Sequence, residues 1–160
     1  MDFTAVGGMA KSSTTGWDGP ASGGFNGIGS FWHSGQPSVP QYLWYEFSSP
    51  MVVVKFSFKT RSNYYFRTDG PSKYDFFGSN AKDCSNTTSH VTLFSDNTGN
   101  PFVKMSEVKS GNVAKPGNYK CYGFKVIDVP GRANGNKWAV ISSVKYYQGK
   151  LILIIIQFPY

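Results

Sequence analysis

Nine residues, Arg61 to Asp69, hold two guanidinium groups (Arg61, Arg67), three aromatic rings (Tyr64, Tyr65, Phe66) and a carboxylate (Asp69). Interleaved bases and rings suit sugar rings, sulfates, lipid headgroups or acidic peptides, because a guanidinium both forks onto oxyanions and stacks on a ring. A solvated hairpin tip is the competing reading of the same residues. Trp17 stands among Gly16, Asp18, Gly19 and Pro20. On such a turn an indole can stack on a sugar or dip into a membrane interface; it can equally fold back and close the end of the fold. The chain has two histidines, His33 and His90, and no Gly-x-Ser-x-Gly elbow, phosphate-binding loop or paired-acid motif. Cys121 with His90 could imitate a thiol–imidazole pair, but a cysteine within an alternating strand fits packing or a disulfide better. The chain reads as a binding module, not an enzyme.

The other two groups with distinctive chemistry are Cys84 and Cys121, the only cysteines. Two thiols without a His-x-x-x-His partner cannot complete a four-ligand zinc site, so one disulfide is expected in an oxidising compartment. Asn86-Thr87-Thr88 is an N-glycosylation sequon and agrees with secretion. Met1 to Ala10 carries an acid and no basic segment, so no secretory signal is expected there. The net charge of +7 is uneven. Residues 1–50 hold Lys11 against Asp2, Asp18 and Glu46, and all the other bases follow. Those bases are spread singly, as on strand faces. A basic surface could attract nucleic acid, anionic lipid or sulfated glycan, but bases so spread read first as a solvated surface, and nucleic acid is not the expected partner.

These groups must be positioned by strands. Aromatics are 17% of the chain, and glycine (18) and proline (9) punctuate it; no helical pattern of ten residues is present. Residues 1–41 read as loops with at most short strands. Tyr42–Phe47 reads as a strand with Leu43, Tyr45 and Phe47 on one face and Tyr42, Trp44 and Glu46 on the other, broken by Ser48-Ser49-Pro50. Met51–Thr60 is the clearest strand, with Val54, Phe56 and Phe58 opposite Lys55, Ser57 and Lys59. Arg61–Pro71 is a loop. Further strands are expected at Tyr74–Gly78, Val91–Phe94, Phe102–Val108, Tyr119–Val129 (Tyr122, Phe124 and Val126 on one face) and Trp138–Tyr147, a rhythm of an antiparallel sandwich. One domain is expected over 1–148. The apolar tail 149–160, with Leu151–Ile156 at its centre, breaks the rhythm. It is too short to cross a bilayer. An extra strand, an interface in a homo-oligomer or a segment foreign to the domain all fit it.

Four segments in order carry a resemblance. Gly24-Phe25-Asn26-Gly27-Ile28-Gly29-Ser30-Phe31-Trp32-His33-Ser34-Gly35, followed by Pro40-Gln41-Tyr42-Leu43-Trp44-Tyr45-Glu46-Phe47, resembles the opening of a discoidin domain, also called the coagulation factor five/eight type C domain. Pro71–Asn80, Cys121–Val126 and Ala139–Val144 are similar to the family's later strands. The resemblance implies an all-β, eight-stranded antiparallel jelly-roll β-sandwich, galactose-binding-like, that captures ligands with loops at one end. Here those loops are Trp17–Gly23, Trp32–Gln41 and Arg61–Pro71. It implies a non-enzymatic, lectin-like recognition or adhesion module, extracellular or at the cell surface, with glycans or glycoproteins as partners. Anionic phospholipid headgroups and docking within a larger assembly are the alternatives. Trp32 and Trp44 fall on the family's structural aromatics and are expected in the core. A fucose-binding branch uses a His, a distant Arg, an acid and a further base. His33, Arg61 and Arg67 approximate that pattern, but Asn63 stands in place of the acid and the spacing differs by one, which withdraws fucose specificity. The ligand residues implied are Trp17, His33, Arg61, Tyr64, Tyr65, Arg67 and Asp69. Some relatives hold calcium; here Asn26 and Ser143 replace acids, so no tight calcium site and no cofactor is expected.

Overall fold

The computed structural model describes residues 7–16, 19–26 and 30–149. Trp17 and the tail from residue 150 onward, both singled out above, lie outside the described residues. Eight antiparallel strands are present among those described: β1 (Gly8–Ser12), β2 (Trp32–His33), β3 (Gln41–Lys59), β4 (Lys73–Ser79), β5 (Val91–Asp96), β6 (Val108–Asn112), β7 (Asn118–Asp128) and β8 (Val140–Gln148).

The sandwich turns on β3. Its first half pairs with β1 on one side and β7 on the other; its second half pairs with β6 and β8. One layer is therefore β1-β3-β7-β4-β5 and the other β2-β8-β3-β6, with a single long strand passing between them. The break expected at Ser48-Ser49-Pro50 is instead the exposed point of crossing, where the ladder with β7 slips between Glu46 and Met51. A proline is tolerated there because it lies where pairing is interrupted and no N–H is required.

Alternation fills the space between the layers. Leu43, Tyr45 and Phe47 face inward with Tyr122, Phe124 and Val126, and Trp32 is buried with them. Phe56 stacks on Phe76 at 4.3 Å, and Tyr122 and Tyr146 complete an aromatic core. Trp44 lies on the outer face of its layer in a second buried cluster with Phe77, Cys84 and Cys121. Both tryptophans are thus core residues, as expected.

Three local expectations are corrected. A register slip between Val53 and Lys55 puts Val53, not Val54, fully inside. Phe102–Val108 is not a strand. Phe102 is buried, but the Glu107 carboxylate accepts from the Val103 and Lys104 N–H groups, and Ser106 takes φ 55°, which makes a turn; pairing begins only at Val108. The Arg61–Pro71 loop contains one helical turn, α1 (Phe66–Asp69), and β8 starts at Val140, leaving Trp138 in the preceding loop.

Candidate functional site

His33 ends β2, opposite Val140 of β8. Its backbone is clamped from the other side: Gly16 N–H donates to His33 O at 2.8 Å, and His33 N–H donates to Gly19 O at 3.0 Å. A side chain at Gly16 would meet His33 Nδ1 at 2.6 Å, and one at Gly19 would meet His33 N at 2.5 Å. Glycine is required at both for this close approach. The histidine's Nδ1 lies 2.7 Å from Ser34 O. A carbonyl can only accept, so Nδ1 carries the proton and Nε2 is left as an acceptor. Burial lowers the His33 pKa, and Arg61 and Arg132 lower it further against the Ser34 bond and Asp69. The ring is neutral at pH 7.

The loop after β7 meets the histidine. Ser34 exchanges bonds with Ala139 (Ser34 N to Ala139 O 2.9 Å; Ala139 N to Ser34 Oγ 3.0 Å), and Lys137 N–H donates to Pro37 O. This seats the half-buried Trp138 indole 5.0 Å from the His33 ring. In the same loop Gly131, with φ 84°, makes the turn that presents Arg132, and its N–H donates to Thr68 O at 3.0 Å.

Asp69 organises the cations. It is fully buried and takes Arg132 as a fork, Nε to Oδ1 at 3.1 Å and Nη2 to Oδ2 at 2.6 Å. Arg61 Nη1 is 3.8 Å away, and Thr68 Oγ donates at 2.9 Å. Two parallel bonds fix the guanidinium plane. Tyr65 stacks on it, 4.1 Å from the Arg132 guanidinium carbon. Arg61 is buried against Phe31 at 4.5 Å. Beside it opens a cleft of about 170 Å³ lined by Ser30, Phe31, Lys59, Thr60, Ser62, Asn63, Ser106 and Ser143.

The predicted ligand residues therefore separate. His33, Arg61, Tyr65 and Asp69 come together at one end of the sandwich. Asp69 is too buried to touch a ligand and orients Arg132 instead. Tyr64 stands out at the loop tip, 85% exposed, and Arg67 is exposed over the Phe66 ring. Sequence reasoning missed Arg132 and Trp138. Arg132 follows Gly131 in a turn, and nothing local in the sequence pairs it with an acid 63 positions earlier. Elsewhere, Cys84 and Cys121 are bonded to one another, so Cys121 and His90 form no thiol–imidazole pair. Asn86 is exposed, and Thr88 Oγ donates to its Oδ1 at 2.7 Å.

No protein-family model matches the chain, and no curated protein sequence matches it. Solved structures do. The family 32 carbohydrate-binding module from Clostridium perfringens NanJ, in complex with galactose, superposes with a TM-score of 0.67 at 17% identity, covering 88% of this chain and 93% of its own. The third such module of a family 31 glycoside hydrolase from Clostridium perfringens gives a TM-score of 0.72 at 12% identity, covering 93% and 94%. Chitosan-binding module 2 of a chitosanase/glucanase from Paenibacillus sp. IK-5, in complex with chitotriose, gives 0.67 at 14% identity, covering 90% and 98%. At these identities the likeness establishes the fold, a galactose-binding-like β-sandwich.

Proposed function

We propose that this domain is a non-enzymatic carbohydrate-binding module of discoidin-like kind, with its site at the loop end where His33, Arg132, Trp138 and Tyr65 converge. The carrying observation is the Asp69–Arg132 fork beside a neutral His33 and a half-exposed Trp138. A sugar needs donors and acceptors at fixed spacing and a flat apolar surface for its C–H face. Arg132 has an edge not engaged by Asp69 and donates; His33 Nε2 accepts; the indole stacks. Carbohydrate-binding modules of the same fold are solved with galactose and with chitotriose, which supports this ligand class. The Cys84–Cys121 bond supports a location outside the reducing cytosol. Calcium is not part of this reading. Ser143 lines its cleft together with Lys59 and Arg61 and with no carboxylate, the wrong donor set for a hard cation.

A glycan array followed by calorimetry tests the proposal. Arg132→Ala should weaken a bound sugar by about 10- to 100-fold, the range for a charge-assisted hydrogen bond, and Trp138→Ala should weaken it with no change in salt dependence. If both variants stay folded and bind like the parent, the site is not here. Binding should also depend on pH in one direction. His33 must be neutral to accept, and its pKa is lowered below 6.5. Affinity should hold from pH 8 down through 6.5 and fall only under more acidic conditions; a loss centred above pH 6.5 would remove His33 from the site.

A second reading, capture of anionic membranes, draws on one observation. Tyr64 (85%), Val103 (66%) and Met105 (56%) are exposed apolar side chains on loops whose residues Ser62, Asn63 and Ser106 share a cleft, with Arg67 and Lys104 alongside. Sedimentation with phosphatidylserine vesicles separates the readings, because lipid capture should collapse as salt rises while binding of a neutral sugar should not.

A further inference from the structure

The outer face of the β3-β7-β4-β5 layer carries a second concavity. Tyr42, Lys125 and Asp75 are direct partners on three adjacent strands, so their side chains form one row on one face. One step along, Trp44, Gly123 and Phe77 form the next row. A side chain at Gly123 would strike Leu43 O and Trp44 Cβ at 2.5 Å and the Phe77 ring at 2.8 Å; glycine lets those rings close together. The disulfide from Cys121 pulls the segment Asn80–His90 over this row. His90 then lies flat on Phe77, 3.7 Å between centroids and 8° between planes, with its Nε2 2.8 Å from Cys84 O. The carbonyl fixes the proton on Nε2 and leaves Nδ1 as an acceptor.

The result is a cleft of about 160 Å³ with Tyr42, Lys125 and Asp75 in its lining together with His90, Thr87 and Thr92. It is smaller than the roughly 300 Å³ at which drug-sized ligands begin to fit, so it suits one small ring. Its chemistry is balanced: one carboxylate, one ammonium and a neutral imidazole. Among the described residues Lys125 enters no ion pair, and Asp75 accepts only from Ser95 Oγ, at 2.6 Å. Phe77 lines the cleft floor beneath His90 and the Tyr42 ring forms one apolar wall, but a purely apolar peptide side chain would leave Asp75, Lys125 and the His90 imidazole unanswered. A bare anion would meet the Asp75 carboxylate. A polyol with one C–H face satisfies every group.

We propose that this cleft is a second carbohydrate site, taking one neutral pyranose: the Tyr42 ring carries the sugar's C–H face, Asp75 accepts from its hydroxyls and Lys125 donates to a ring or hydroxyl oxygen. It is independent of the loop-end site, shares no residue with it, and makes the domain bivalent.

Nuclear magnetic resonance on the ¹⁵N-labelled full chain, titrated with galactose and separately with N-acetylglucosamine, tests this. Saturable shifts should appear at the amides of Tyr42, Asp75, His90 and Lys125 with at least one of the two sugars. Asp75→Asn should weaken that set by about tenfold or more, from loss of a charged acceptor, and leave shifts around His33 and Trp138 unchanged. Tyr42→Ala should do the same, guarding against an Asp75 variant that perturbs the ladder. Absence of saturable shifts on the sheet face with both sugars, or unchanged affinity there in both folded variants, overturns the second site. Shifts on the sheet face without any around His33 would sustain it and instead remove the loop-end proposal.

Discussion

Asp69→Ala should cost the domain about 3–5 kcal/mol of stability, the loss seen when one partner of a buried ion pair is removed. Asp69 is wholly buried and holds Arg132 by two bonds, with Arg61 beside it, itself only 8% exposed. Without the carboxylate, two guanidinium groups lie close together in a partly dry site that has lost the buried counter-charge between them. The midpoint of thermal unfolding should fall on the order of 10 °C. Sugar binding should disappear even below that midpoint, because Arg132 loses the fork that orients it. Arg132→Ala should behave differently. The side chain removed is 27% exposed and Asp69 keeps Arg61 at 3.8 Å, so affinity should fall much further than stability. An Asp69→Ala protein that unfolds within 1 kcal/mol of the parent would show that the cluster neither braces the loop end nor presets the site.

The contrast between those two variants marks where sequence stops being informative. Asp69 and Arg67 belong to one dense polar segment and look alike in sequence, yet one is sealed in the protein and the other is exposed. Which is which depends on α1, a single helical turn too short to leave a periodic pattern, and on an arginine 63 residues away. Trp138 sits at the head of an apolar run and so reads as the first residue of a strand; only the Ser34–Ala139 and Lys137–Pro37 bonds hold it in a loop facing His33. The strands themselves were legible wherever one face is buried and alternation is strict, as at Leu43–Phe47 and Tyr122–Val126. Legibility failed where a strand exchanges partners. Nothing local in Ser48-Ser49-Pro50 distinguishes a strand end from a crossing between layers, because the difference lies in β6 and β8, which arrive much later in the chain. His33 entered by resemblance, since a lone histidine after a tryptophan carries little chemistry until Ser34 O fixes its tautomer.

Removing the Cys84–Cys121 bond should have an effect as large as losing Asp69, but by a different route. The bond spans 37 positions. Releasing that loop gives the unfolded chain back an entropy worth about 4 kcal/mol in the chain-entropy model. In the folded state both sulfurs are buried beside Trp44 and Phe77, so a Cys84→Ala/Cys121→Ala pair also loses some packing, whereas reduction of the parent leaves the side-chain volume in place. The urea midpoint should therefore fall in both, and slightly further in the double variant. The local consequence separates the two ends of the domain. The disulfide holds the middle of the Asn80–His90 segment against β7, with Asn80 bonded to Asn118 and Lys120 at one end and Ser89 to Ser79 at the other, while the His33–Trp138 pair is held by Ser34, Ala139 and the Gly16–Gly19 clamp, none of which touches the cysteines. Below its lowered midpoint the double variant should still bind sugar at the loop end with near-parental affinity, and it should lose the sheet-face shifts. Equal loss at both ends would mean that the disulfide braces the sandwich as a whole, not one wall of one cleft; an unchanged urea midpoint on full reduction would mean that the loop is held by its packing alone.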